Sequence, residues 1–287
     1  CETRDGRRLM ERELPDGQSL LSPDGELFVW WPRGVRQTEL RSCAGELLAT
    51  VPGGHGPIYG LDASFSPTGE RLAVLKDIKD KSRVPRVENT LLTVLGSSGD
   101  VLAERELGNI LRAAPAWHGN DLYVLCARAG RHAGLSQRTA RLVAVRENGQ
   151  VEHVDLDELG VAHEVLLSVS PDGSVIHVAV RRDGGASGWR VLTMSSEGLK
   201  PLTTVPLDGM NLTDIAAGPD GSLALLVPDP EADCHRLYIV AGGTRHLASD
   251  WPWWISSMQT SPDGEFLILA GHSRRSSWRG VHAVPWR

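Results

Sequence analysis

The sequence predicts an all-β chain of six four-stranded antiparallel sheets, and three observations carry that prediction. The first is composition. The 287 residues are 41% hydrophobic and 23% charged with a net charge of −6, as in a soluble globular protein, and 31 Gly with 17 Pro can punctuate many short strands. The second is a recurring turn. Ser-Pro-Asp-Gly stands at residues 22–25, 170–173 and 261–264, with variants Ser66-Pro67-Thr68-Gly69 and Gly218-Pro219-Asp220-Gly221. The third is spacing: successive copies start 44, 104, 48 and 43 residues apart. The long interval is about twice the others and calls for a degenerate copy near residue 118, where Ala116-Trp117-His118-Gly119 stands. Six copies in 287 residues give about 48 residues each, the size of one blade of a β-propeller.

Each turn joins two strands. Pro fixes φ at the second position, Asp caps neighbouring amides and Gly accepts positive φ, so the tetrapeptide makes a tight reversal. The runs that follow, 26–31, 70–75, 120–127, 174–180, 222–227 and 265–270, are rich in Leu, Val, Ile and aromatics and read as second strands. Glycine turns follow at 43–46, 97–100, 147–150, 196–199 and 241–244, and each closes a second hairpin. The blades are expected to start near residues 18, 58, 110, 161, 210 and 254 of a single domain spanning 1–287. After its second strand the last blade retains only Arg279 to Arg287, enough for a third strand. Arg7 to Leu14 has the pattern of a fourth strand and is expected to pair into that C-terminal blade, closing the six-bladed propeller and removing exposed sheet edges.

On these motifs the sequence resembles the TolB-like, WD-repeat-like propeller family, whose repeat carries a Ser-Pro-Asp-Gly turn before its second strand. The resemblance covers residues from about Arg7 to Arg287. It implies a six-bladed ring, used for protein binding in TolB-type translocation proteins and as a gating domain in prolyl-oligopeptidase-like enzymes. A fold does not fix a function.

Catalytic motifs are sparse. There is no Gly-x-Ser-x-Gly elbow: Gly185-Ala186-Ser187-Gly188 and Gly271-His272-Ser273 lack its spacing. The ten histidines form no His-x-x-x-His pair on a helix, and no phosphate-cradling loop or dinucleotide fingerprint is present. The expectation is therefore a non-catalytic protein-interaction scaffold, with no enzyme activity, no cofactor and no catalytic or metal residues. The alternative is a lactonase- or lyase-type propeller enzyme with a metal at the ring axis.

In a four-stranded blade the two hairpin turns lie at one end. The connections from second to third strand, and from each blade to the next, lie at the other, where length variation and binding usually reside. The second-to-third connections are basic. Residues 76–86 carry +3, 128–141 carry +4 and 272–279 carry +3, while 229–233 opposes them with −3. Such a surface steers acidic partners. Trp is the second anomaly, with nine against three Phe and three Tyr. Trp251-Pro252-Trp253-Trp254 falls in a blade-to-blade connection and Trp278 in the neighbouring Arg-rich loop, and Trp and Arg are enriched at interface hot spots. Lys79, Lys81, Arg131, Arg138, Trp253, Trp254, Arg274, Arg275, Trp278 and Arg279 are accordingly expected to hold an acidic or extended polypeptide. Nucleic acid is not expected, because pI 5.9 and few Phe and Tyr disfavour it.

Cys1, Cys43, Cys126 and Cys234 form no Cys-x-x-Cys pair and are expected as thiols rather than a metal or redox site. A start at Cys resembles a bacterial lipoprotein after signal removal, with Cys1 the lipid attachment point. That reading leans toward a periplasmic or lipid-anchored location, with membrane contact only through the lipid.

Overall fold

The structure is a computed structural model describing residues 17–32, 37–52, 63–80, 87–108, 110–129, 138–160, 162–182, 188–229, 231, 234–241, 244–251, 254–272 and 279–286. The chain divides into two compact units, 1–130 with 143–152, and 131–142 with 153–287.

Six antiparallel sheets carry the described residues. The first is β1 (Gly17–Leu21), β2 (Leu27–Pro32), β3 (Gln37–Ser42) and β4 (Leu47–Pro52), and the second is β5 (Ala63–Phe65), β6 (Arg71–Asp80), β7 (Val87–Gly96) and β8 (Val101–Gly108). The third is β9 (Ile110–His118), β10 (Asp121–Ala129), β11 (Arg138–Val145) and β12 (Val151–Asp155). The fourth holds β13 (Ala162–Val169), β14 (Val175–Arg182), β15 (Gly188–Ser195) and β16 (Lys200–Asp208). The fifth holds β17 (Asp214–Ala217), β18 (Leu223–Asp229), β19 (Cys234–Ala241) and β20 (Thr244–Trp251). The last has three described strands, β21 (Trp254–Thr260), β22 (Phe266–His272) and β23 (Arg279–Pro285). Strands are ordered in space as in sequence. Arg7–Leu14, expected as the closing strand, lies outside the described residues.

The recurring turn places the strands through its serine. Ser22, Ser66, Ser170 and Ser261 are all buried, and each Oγ accepts the backbone N–H of the residue five positions on, at 2.9, 3.1, 3.0 and 2.9 Å. The glycine N–H closes the turn onto the serine carbonyl in all four. The turn aspartate adds a second cap: Asp24, Asp172 and Asp263 each accept the N–H two residues on. The fifth copy departs from this pattern. Gly218 opens a 3₁₀ turn at Pro219–Gly221, and a Cβ at Gly218 would fall against Ser222 Oγ and 2.7 Å from the Trp286 ring. Ser222 and Trp286 together occupy the space a serine would need.

Cores form between consecutive sheets within each unit. Leu72 and Val74 of β6 pack against Val29 and Trp31 of β2, while Ala73 turns the other way toward Leu122 and Val124 of β10. In the second unit Leu223 and Leu225 face Trp189 and Val191, and Leu226 faces Leu267 and Leu269. A strand buried on both faces reads as an uninterrupted apolar run, which is why Leu72 to Leu75 and Leu223 to Val227 do not alternate. Several boundaries differ from expectation: 128–129 belong to β10 and 138–141 to β11. Residues 76–80 belong to β6 rather than to a loop, because Leu75 to Asp80 continue the ladder with Val87 to Leu92.

Cys43 is a free thiol, Cys126 and Cys234 are buried, and Cys1 lies outside the described residues. Burial, and then Glu26, push the Cys43 thiol up.

Candidate functional site

In each sheet with four described strands, the two hairpin turns lie at one end and the connection from the second to the third strand at the other. In the second unit the starts of the inner strands share that second end. Ala217 N–H donates to Ser168 Oγ at 2.8 Å, Thr260 Oγ1 donates to the Ala217 carbonyl, and Met258 N–H donates to Asp214 Oδ2 at 2.7 Å. β13, β17 and β21 therefore run the same way.

Of the expected binding residues, Lys81, Arg131, Trp253, Arg274, Arg275 and Trp278 lie outside the described residues. Lys79 sits in β6 opposite Glu88, Arg138 opens β11 and Arg279 opens β23 opposite His272. Three charges counted toward the basic and acidic connections are paired within their sheets: Lys76 reaches Glu104 at 3.8 Å, Arg141 meets Asp155 at 2.6 Å, and Asp229 meets Arg236 at 2.5 Å. At the border of another connection, Arg181 meets Glu164 at 3.0 Å. Trp254 is half-buried, and its ring stands at 89° to His235 with centroids 4.9 Å apart. The edge contact commits part of its surface to the interior.

Beneath Trp254 lies a polar cluster that the sequence reading missed. His235, at the start of β19, is fully buried. Its Nδ1 accepts Ile255 N–H at 3.3 Å, which leaves the proton on Nε2, 3.2 Å from Thr213 Oγ1. Asp214 Oδ1 accepts Ile215 N–H at 2.9 Å while Oδ2 takes Met258 N–H. Between Ile255 and Ser257 the β21–β22 register shifts by one residue. The cluster thus satisfies two β21 amides on either side of a bulge. Burial pushes the Asp214 carboxyl up to about 6, against the weaker effect of its two N–H donors. The one signal in the sequence was Thr213-Asp214 immediately before the short apolar run Ile215 to Ala217. Among the described residues no group of three or more His, Cys, Asp or Glu is arranged to hold a metal ion.

No protein-family model matches the chain, and no curated protein matches it in sequence. Solved structures do. The acylaminoacyl peptidase of Pyrococcus horikoshii is similar at 12% identity and a TM-score of 0.59, over 98% of this chain and 45% of that one. The β-propeller domain of the Trilobed protease of Pyrococcus furiosus, described as having an open velcro topology, is similar at 12% identity and a TM-score of 0.57, over 93% and 78%. A chain in the complex of KlAtg21 with the coiled coil of AgAtg16 is similar at 13% identity and a TM-score of 0.59, over 93% and 80%. This chain spans less than half the length of the peptidase. The expectation of a protein without enzymatic activity is corrected here: peptidases stand among the proteins that share the fold, and a missing Gly-x-Ser-x-Gly elbow does not separate a propeller from an enzyme of which it spans only part. At 12–13% identity the likeness carries architecture alone, and that architecture is the β-propeller.

Proposed function

We propose that the chain is a polypeptide-binding β-propeller that takes an acidic or extended segment at the end opposite the motif turns. One observation carries the reading: the connections from second to third strand leave from the end opposite the motif turns, and three of them hold an excess of Lys and Arg. Lys81, Arg131, Arg274, Arg275 and Trp278 belong to those connections, Lys79, Arg138, Trp254 and Arg279 border them, and Trp253 precedes Trp254 in the connection between the last two sheets. A protein partner is in keeping with the KlAtg21 complex, whose partner is a coiled coil. The likeness to acylaminoacyl peptidase favours a second reading, in which the bound polypeptide is the substrate of a peptidase of which this chain is the propeller part.

The proposed architecture is one domain of six blades, with Arg7–Leu14 as the fourth strand of the last. Two features of β23 support it. The other outer strands with a described register, β4, β8, β16 and β20, each carry a bulge that spoils further pairing, whereas β23 runs in unbroken register. Val281 on β23 is also 67% exposed.

Binding of a fluorescent oligo-glutamate peptide tests the functional reading. Its affinity is expected to fall about tenfold between about 50 and 300 mM salt, and to fall again in an Arg274→Glu/Arg275→Glu variant with unchanged melting temperature. Salt-independent affinity would overturn electrostatic capture, and equal loss of binding and stability would assign the arginines to the fold.

A further inference from the structure

Trp254 is held at three points although its ring is only half-buried. Its indole stands edge-on to the His235 imidazole, at 89° with centroids 4.9 Å apart. His235 Nδ1 accepts the N–H of the next residue, Ile255, at 3.3 Å, and Thr213 Oγ1 fixes the other imidazole nitrogen at 3.2 Å. From the opposite side β22 presses on the same peptide. A Cβ at Gly271 would fall 2.5 Å from the Trp254 carbonyl oxygen and 3.1 Å from Ile255 Cα, so only glycine fits there. His235 is fully buried, whereas Trp254 reaches solvent at the end of β21 away from the motif turn.

A buried imidazole needs partners for both nitrogens, and an aliphatic side chain would fill the same space without that requirement. What the histidine adds is a fixed direction for the indole. We propose that His235 is a positioning residue that presents Trp254 as a preformed apolar anchor, on which the bound polypeptide places an aliphatic side chain flanked by acidic residues. This role rests on the polypeptide-binding reading and specifies the segment bound. Charge complementarity puts the acidic residues beside the anchor, because Trp254 pairs in register with His272, where the connection bearing Arg274 and Arg275 begins. An indole oriented before binding loses little freedom when a side chain packs on it, and tryptophan is among the residues that dominate interface energies.

Two fluorescent peptides test the role: an oligo-glutamate, and the same peptide with its central residue replaced by leucine. The wild-type protein is expected to bind the leucine peptide about tenfold tighter. Trp254→Ala is expected to bring the two to equal affinity. His235→Asn keeps an acceptor for Ile255 N–H but lacks the ring edge, and is expected to shrink the difference about threefold. Structural damage alone would weaken both peptides alike. Equal affinities in the wild type, or an undiminished difference in either variant, overturn the proposal and leave electrostatic capture standing. Binding of neither peptide overturns the polypeptide-binding reading and this role with it. Should the variants not fold, the Trp254 indole N–H resonance of the wild type decides: a shift with the leucine peptide but not with the oligo-glutamate supports the anchor, and identical responses defeat it.

Discussion

His177 and Asp214 sit in the same unit and answer to pH in opposite senses. His177 is 1% exposed, its Nδ1 is 3.1 Å from Thr193 Oγ1, and burial pushes it down to about 4 against a smaller opposing effect from the backbone at Ser222 and Gly221. Its folded pKa lies below its ordinary 6.5, so its contribution to stability is complete above pH 6.5 and is lost as pH falls through about 4. Asp214, raised to about 6, behaves in reverse: its contribution is complete below its ordinary 3.8 and lost as pH rises through about 6. The two slopes partly cancel in the wild type, so a variant is needed to expose either. Replacing His177 by Gln is expected to remove about 3 kcal/mol of acid lability between pH 7 and pH 4, read from melting temperatures across that range. A variant as acid-labile as the wild type would count against a buried neutral histidine. None of this was legible from the string, where His177 is one of ten dispersed histidines; it follows from a core that forms only when β14 meets the turn at 219–221.

At the scale of the element, the tetrapeptide was the most legible feature, because its chemistry is local. Serine acceptor, fixed proline and positive-φ glycine all act within six residues, and the strand starts at Leu27, Arg71, Val175 and Phe266 each fall one residue after where the motif placed them. Ser170→Ala should leave the part-buried Val175 N–H without its acceptor and cost about 1 kcal/mol, measurable by denaturant unfolding. Restoring the motif in the fifth copy should have the contrary of a consensus effect. Gly218→Ser is expected to destabilise, because Ser222 Oγ and the Trp286 ring stand where the new side chain must go, and a neutral or stabilising result would show that both move aside. What the motif could not convey is non-local. The length of the β6–β7 hairpin depends on cross-strand partners, and the edge contact of Trp254 depends on a histidine 19 residues earlier in the chain.

For the whole molecule, the repeat number and strand order were readable because a period of about 48 residues is imposed on the entire chain. The candidate site was readable only as a tendency of certain connections to carry Arg, Lys and Trp. Charges at their borders, such as Arg181 and Asp229, are spent on neighbours within the sheet, which no linear count reveals. The closing-strand proposal gives a test at this scale. Deleting residues 1–14 is expected to lower the melting temperature and to produce dimers or larger species through the edge of β23, seen by size exclusion with light scattering. A truncated chain that stays monomeric and melts with the full chain would remove Arg7–Leu14 from the last sheet.

The inner strands of the second unit are stitched by Ser168, Asp214 and Thr260, so no ladder of amides runs unbroken from one sheet to the next. Substituting one stitch therefore leaves every sheet's own pairing intact. Such damage should surface as a softer hinge between neighbours, heard in slow collective motion before it is felt as melting, and a lineage carrying this chain is free to rewrite one repeat without retuning the others.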